Sequence, residues 1–251
     1  MRDGHRFGLV FFLSTIVAVV TASVVMPSAP AADGDLLADL GMARVSDLKI
    51  DKTSDGRRLL RYSTEIANVG QGAFELNLHR ASVNDPMTTT QRIYTATGFR
   101  DVSTNPVLVF AGDGHNHWHV RDLETVELIR NDNGSKVGTD AKVGFCFVDH
   151  LRFRVSLPGA PNNAVYRGCG GPSSLDVRMG LSVGWSDQYS WNLPDQYIDI
   201  TALTAGRYRL SVVADAGNWF VESNETNNAT WVDIQLKGQG APRILEYGPT
   251  V

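Results

Sequence analysis

The chain has 251 residues, a formal net charge of −4 and 43% hydrophobic residues. That length can bury the core of one large β domain or two small ones. No basic stripe or Arg-rich patch runs along it, which argues against nucleic acid as a partner.

The N-terminus reads as a targeting segment. Arg2 and Arg6 lead into the almost wholly apolar stretch Phe7–Val25, followed by Ser28-Ala29-Pro30-Ala31-Ala32 and acidic Asp33 and Asp35. This pattern predicts a secretory signal over residues 1–32 with cleavage near Ala32. The apolar run is also long enough for an uncleaved N-terminal anchor, which would be the chain's one route to a membrane. Either way the protein is expected to be secreted or held at the cell surface. Cleavage removes two basic residues and one acidic residue, leaving the mature chain one unit more acidic.

Beyond the signal, period-2 patterns dominate. Leu60, Tyr62, Thr64 and Ile66 alternate with Arg61, Ser63 and Glu65, and Phe74, Leu76 and Leu78 alternate with Glu75, Asn77 and His79. Tyr208, Leu210 and Val212 alternate with polar residues, as do Val232, Ile234 and Leu236. Each is a half-buried strand signal with Gly, Asn and Asp punctuation between, and no long amphipathic helix competes. The expected fold is all-β: a single antiparallel β-sandwich of immunoglobulin-like type with long loops over residues 36–240. Residues 36–100 supply strands without chemistry, and 241–251 form a tail. The Glu222–Asn228 connection reads as a hairpin turn, with a calcium loop as the alternative.

The most distinctive feature is His115-Asn116-His117-Trp118-His119. Alternate residues of a strand share a face, so this window aims three imidazoles at one place. Three nitrogen donors without a thiolate suit a catalytic metal with open positions better than a closed structural zinc site. A regular strand would spread the outer Cα atoms about 13 Å apart, near the limit for sharing one ion. A bend or bulge is therefore expected, permitted by Gly112 and Gly114. The bland alternative is a polar strand face. Cys146 and Cys169 are an even count in an exported chain and are expected to form one disulfide, across a Pro- and Gly-rich loop at 158–175.

Three segments, in order, resemble the lysyl oxidase family. Gly114–His119 is similar to its copper segment, H-x-H-x-H with an aromatic before the last His. Lys142-Val143-Gly144-Phe145-Cys146-Phe147-Val148-Asp149 resembles K-x-x-F-C-x-x-D. Gly180–Tyr189 resembles G-L-S-x-G-x-x-D-x-Y, and the likeness continues through Tyr197–Thr201, Gly206–Tyr208 and Asn227-Asn228, so that it covers about residues 112–236. The resemblance implies a copper amine oxidase that makes its own cofactor, lysine tyrosylquinone. His115, His117 and His119 would hold copper, Tyr189 would be the quinone precursor and Lys142 the cross-linking amine. Asp149 or Asp187 would be the base that takes the substrate's α-proton. The substrates would be a primary amine or a lysine-containing polypeptide, and molecular oxygen; the products would be an aldehyde, ammonia and hydrogen peroxide. The pattern departs from animal members at Asp113-Gly114, Asn116 and Trp185 and keeps fewer cysteines, which leaves the amine undefined. The rival reading is a surface module that binds copper or zinc without turnover.

Overall fold

The computed structural model describes residues 31–111, 115–142, 144–238 and 240–251. The expected signal, apart from its last two residues, and the two glycines expected to bend the histidine strand lie outside the described residues. Among the described residues there are nineteen strands and no helix, so none is long and apolar enough to cross a membrane. The strand ladders are antiparallel throughout. The all-β antiparallel sandwich holds.

Four sheets share the work. Ser46–Lys52, Leu40–Met42, Trp185–Tyr189 and Tyr197–Asp199 all pair with the long strand Arg58–Asn68. Leu60, Tyr62, Thr64 and Ile66 are buried as their alternation requires, but Leu59, Ser63 and Ala67 are buried as well. Having partners along both edges and cover on both faces explains this. A second sheet runs Lys136–Thr139, Glu124–Arg130, Gly206–Ala214, Ala229–Leu236 and Arg243–Tyr247 in that spatial order. Its last strand belongs to the stretch expected to be a tail. Arg243–Tyr247 instead pairs with Val232–Gln235, and Val251 packs where a side chain on Gly41 would otherwise stand. A third sheet centres on Phe74–His79, between Thr88–Thr95 and Asp176–Leu181. The fourth is small: Leu108–Ala111, His117–Arg121 and Gly144–Phe145.

One apolar core joins all four sheets, running from Leu40 and Tyr62 through Phe74, Val120, Phe145 and Tyr189 to Leu210 and Ile234. The Asn68 side chain fastens the turn beside it. Its amide donates to the carbonyls of Gly72 and Leu181 at 2.9 and 3.0 Å, and its oxygen accepts from the N–H groups of Asp39 and Gly70, both at 3.1 Å. Gly72 is obligatory there, since a Cβ would fall 1.9 Å from the Leu36 carbonyl oxygen.

Candidate active site

The histidine window is bent, but not by strand alternation alone. His117 and His119 belong to one strand, opposite Ala111 and Val109, and project to the same side. His115 precedes that strand in a turn, and Asn116 between them has φ +47°, the left-handed region that Asn tolerates better than most residues. This turn swings His115 back over its neighbours. Ligand nitrogens of the three rings lie within 4.8 Å of one another, and His117 Nε2 and His119 Nε2 are 2.8 Å apart. Trp118 faces the opposite way and pins the strand. Its indole N–H donates to the Gly171 carbonyl at 3.1 Å, and its backbone N–H to the Cys169 carbonyl at 3.0 Å. Gly144 lets the third strand close on this one, because a Cβ there would meet the Val120 carbonyl oxygen at 2.8 Å and His119 Cβ at 2.9 Å.

Lys142 and Tyr189, 47 residues apart in sequence, meet beside the imidazoles. The Lys142 amine stands 3.8 Å from the Tyr189 ring centroid and 4.3 Å from that of Phe145. Tyr189 is buried, stacks on Phe145 at 4.2 Å between centroids, and its hydroxyl accepts the Cys146 backbone N–H at 2.9 Å. A small cavity of about 10 Å³, room for roughly one water, is lined by Lys142, Tyr189, His115, His119, Asp195 and Gln196 among others. Cys146 and Cys169 are bonded, as expected. The disulfide joins the segment that hydrogen-bonds Tyr189 to the one that hydrogen-bonds the histidine strand.

The sequence reading missed the acids behind Lys142. Glu124 is buried and forms an ion pair with the Lys142 amine, whose side chain is only 6% exposed. A signal for it existed. Glu124, Val126 and Leu128 occupy one face of a strand, so a carboxylate stands on the apolar side of a period-2 pattern. Asp140 lies close by, and burial pushes its carboxyl up to about 7, reinforced by the nearby Glu124 charge against the opposing pull of Lys142. Deep burial, with the same acids adding to it, raises the Tyr62 phenol well above its ordinary range.

Asp140 makes stability depend on pH. From about pH 4 to about pH 7 the folded chain keeps a proton that the unfolded chain has released, so this group favours folding in acid and that contribution is lost as pH rises through about 7. Asp140→Asn is neutral at every pH. Its stability relative to the unaltered protein should therefore grow between pH 5 and pH 8, on the order of 1–3 kcal/mol. Urea melts of the metal-free proteins at the two pH values measure this; a difference that does not change with pH would contradict it.

Neither of the two carboxylates expected as candidate bases is among the residues that line the cavity. Asp149 is occupied by structural hydrogen bonds. The N–H groups of Val165, Tyr166 and Ser182 donate to it at 2.7, 3.2 and 2.8 Å, and the Ser182 hydroxyl donates at 2.8 Å. Asp187 shares a strand face with Tyr189, accepts the Val148 N–H at 3.3 Å and lies 3.6 Å from His150 Nδ1. Burial raises the Asp187 carboxyl, while its bond to His150 raises that imidazole. Asp195 is the carboxylate in the cavity lining.

A lysyl oxidase family model matches residues 109–244, more than half of the chain and the whole of this site. The chain belongs to the lysyl oxidase family. It is 28% identical to lysyl oxidase homolog 3A of Danio rerio over 182 residues, 27% identical to lysyl oxidase homolog 3 of Homo sapiens over 189, and 28% identical to lysyl oxidase homolog 2 of Gallus gallus over 195. These alignments cover 72%, 72% and 78% of this chain but 20%, 19% and 20% of the respective relatives. This lysyl oxidase family chain thus corresponds to about a fifth of the length of the curated relatives it matches.

Proposed function

We propose that this chain is an exported, copper-dependent oxidase of primary amines whose quinone cofactor is built from its own Tyr189 and Lys142. The observation that carries the reading is the amine poised 3.8 Å from the ring centroid of buried Tyr189, its lysine side chain little exposed, beside three convergent imidazoles. The donor set suits copper: three imidazole nitrogens, no thiolate among them, and positions left for other ligands. His115, His117 and His119 would hold the metal. Bound copper and the lysine tyrosylquinone would supply redox cycling with molecular oxygen and an electrophilic carbonyl for the substrate amine.

The chain's own groups do the rest. Phe145 and the Cys146 N–H fix the Tyr189 ring in its buried position. Asp195 lines the cavity and is better placed than Asp149 to take a proton from a bound amine. Lysine side chains of a polypeptide are the favoured substrate class; aldehyde, ammonia and hydrogen peroxide are the products. Export follows from the apolar segment preceding Ala32, read as a signal over residues 1–32, together with the disulfide. The test is amine-dependent peroxide release by copper-loaded protein, with trapping of the carbonyl by a hydrazine reagent to give a coloured adduct. Bound copper with neither peroxide nor adduct would leave a metal-binding module instead.

A further inference from the structure

A lysine nitrogen cannot attack a ring while it is an ammonium, because its lone pair is used by a proton. We propose that Glu124 is the positioning residue for cofactor formation: it holds the Lys142 amine over Tyr189 and accepts the proton that the nitrogen must lose. This role rests on the amine oxidase reading above.

The geometry places the Lys142 nitrogen between two surfaces. On one side is Glu124 Oε2, and on the other are the rings of Tyr189 and Phe145. The Glu124 side chain is fully enclosed, and its second oxygen, Oε1, is buried without a hydrogen-bond partner among the described residues. The carboxylate therefore has one oxygen to steer the amine and another free to share a proton. Asp140 Oδ2 and the Tyr62 hydroxyl are likewise buried without hydrogen-bond partners among the described residues. Asp122 and Asp187 also bear on this cluster through their charges, and His115, His119, Tyr189 and Asp195 face Lys142 across the shared cavity.

In the step, an Nζ–H bond of Lys142 breaks and an O–H bond forms on Glu124. An ammonium–carboxylate pair becomes a neutral amine, its lone pair beside the ring, and a neutral carboxylic acid. Both charges vanish together, so no ion is stranded. Losing the proton to solvent would instead leave Glu124 as an unpaired buried anion close to Asp140, the costlier outcome in a dry site. In the link a C–N bond replaces one Nζ–H bond and one ring C–H bond, the two electrons passing to the molecular oxygen that the proposed reaction already uses; the nitrogen then carries no positive charge, and the protonated Glu124 remains as a neutral neighbour of the cofactor.

The experiment loads the unaltered protein, Glu124→Gln and Glu124→Asp with copper in air. It follows the linked Lys142–Tyr189 peptide by mass spectrometry from pH 6.5 to pH 9, with copper content and melting temperature recorded in parallel. Glu124→Gln should bind copper normally yet form the link at least tenfold more slowly near pH 7, recovering as pH rises because the proton must now leave through water. Glu124→Asp, shorter by one methylene, should link more slowly on an unchanged pH profile. Linking of Glu124→Gln at the unaltered rate and profile would overturn the role of Glu124 alone. Absence of any linked peptide in the unaltered protein would overturn this role and the amine oxidase reading together. Should Glu124→Gln fail to fold, Glu124→Asp decides: an unaltered rate overturns the role, and a slower rate on the same profile supports it.

Discussion

Lys142→Met should yield a protein that still binds copper but loses amine-dependent peroxide release by at least about 10³-fold, the scale on which removal of a covalently participating group acts. Methionine keeps an unbranched chain against Phe145 and Tyr189 while removing the nitrogen that stands 3.8 Å from the phenol ring centroid. Stability should fall too. Glu124 is left buried without its cation, and breaking a buried pair on one side costs roughly 3–5 kcal/mol, less where the carboxyl can take up a proton. Peroxide assays therefore need a matched melt to show that the variant is folded. Undiminished peroxide release from folded Lys142→Met would remove Lys142 from the cofactor.

His117→Ala should lower copper affinity by more than about 100-fold, since losing a group that only orients a ligand already costs roughly 10–100-fold. His117 shares its strand face with His119, and their Nε2 atoms stand 2.8 Å apart. A proper comparison is Trp118→Phe. It faces away from the imidazoles and loses the hydrogen bond to Gly171, so it should retain copper while melting earlier. Metal analysis after dialysis separates the two. Copper retained by His117→Ala at the unaltered stoichiometry would place the metal elsewhere.

Much of the fold was legible because its strands alternate cleanly. Tyr208, Leu210 and Val212 point inward just as their spacing requires. Arg243–Tyr247 escaped notice because Ile244 and Leu245 are adjacent, both substantially exposed, and give no period-2 signal. The histidine cluster was legible as a triplet of donors, yet its bend resides at least partly in Asn116, whose left-handed backbone no hydrophobic pattern reveals. The meeting of Lys142 and Tyr189 was legible only through the family resemblance, since pattern and propensity carry no information about contacts between segments so far apart. Asp149 shows the limit of that resemblance. Its place in a shared motif suggests chemistry, whereas its four donors tie the 165–166 segment to Ser182. Glu124 was readable in principle, as a carboxylate on the inward face of Glu124–Arg130, and became meaningful once its partner was known.

Peptide mass spectrometry of protein loaded with copper in air tests the central claim most directly. The account requires a single covalently joined species that contains Lys142 and Tyr189, formed on metal loading and absent from protein kept metal-free. Recovery of both residues in separate, unmodified peptides from fully copper-loaded, oxygen-exposed protein would contradict it.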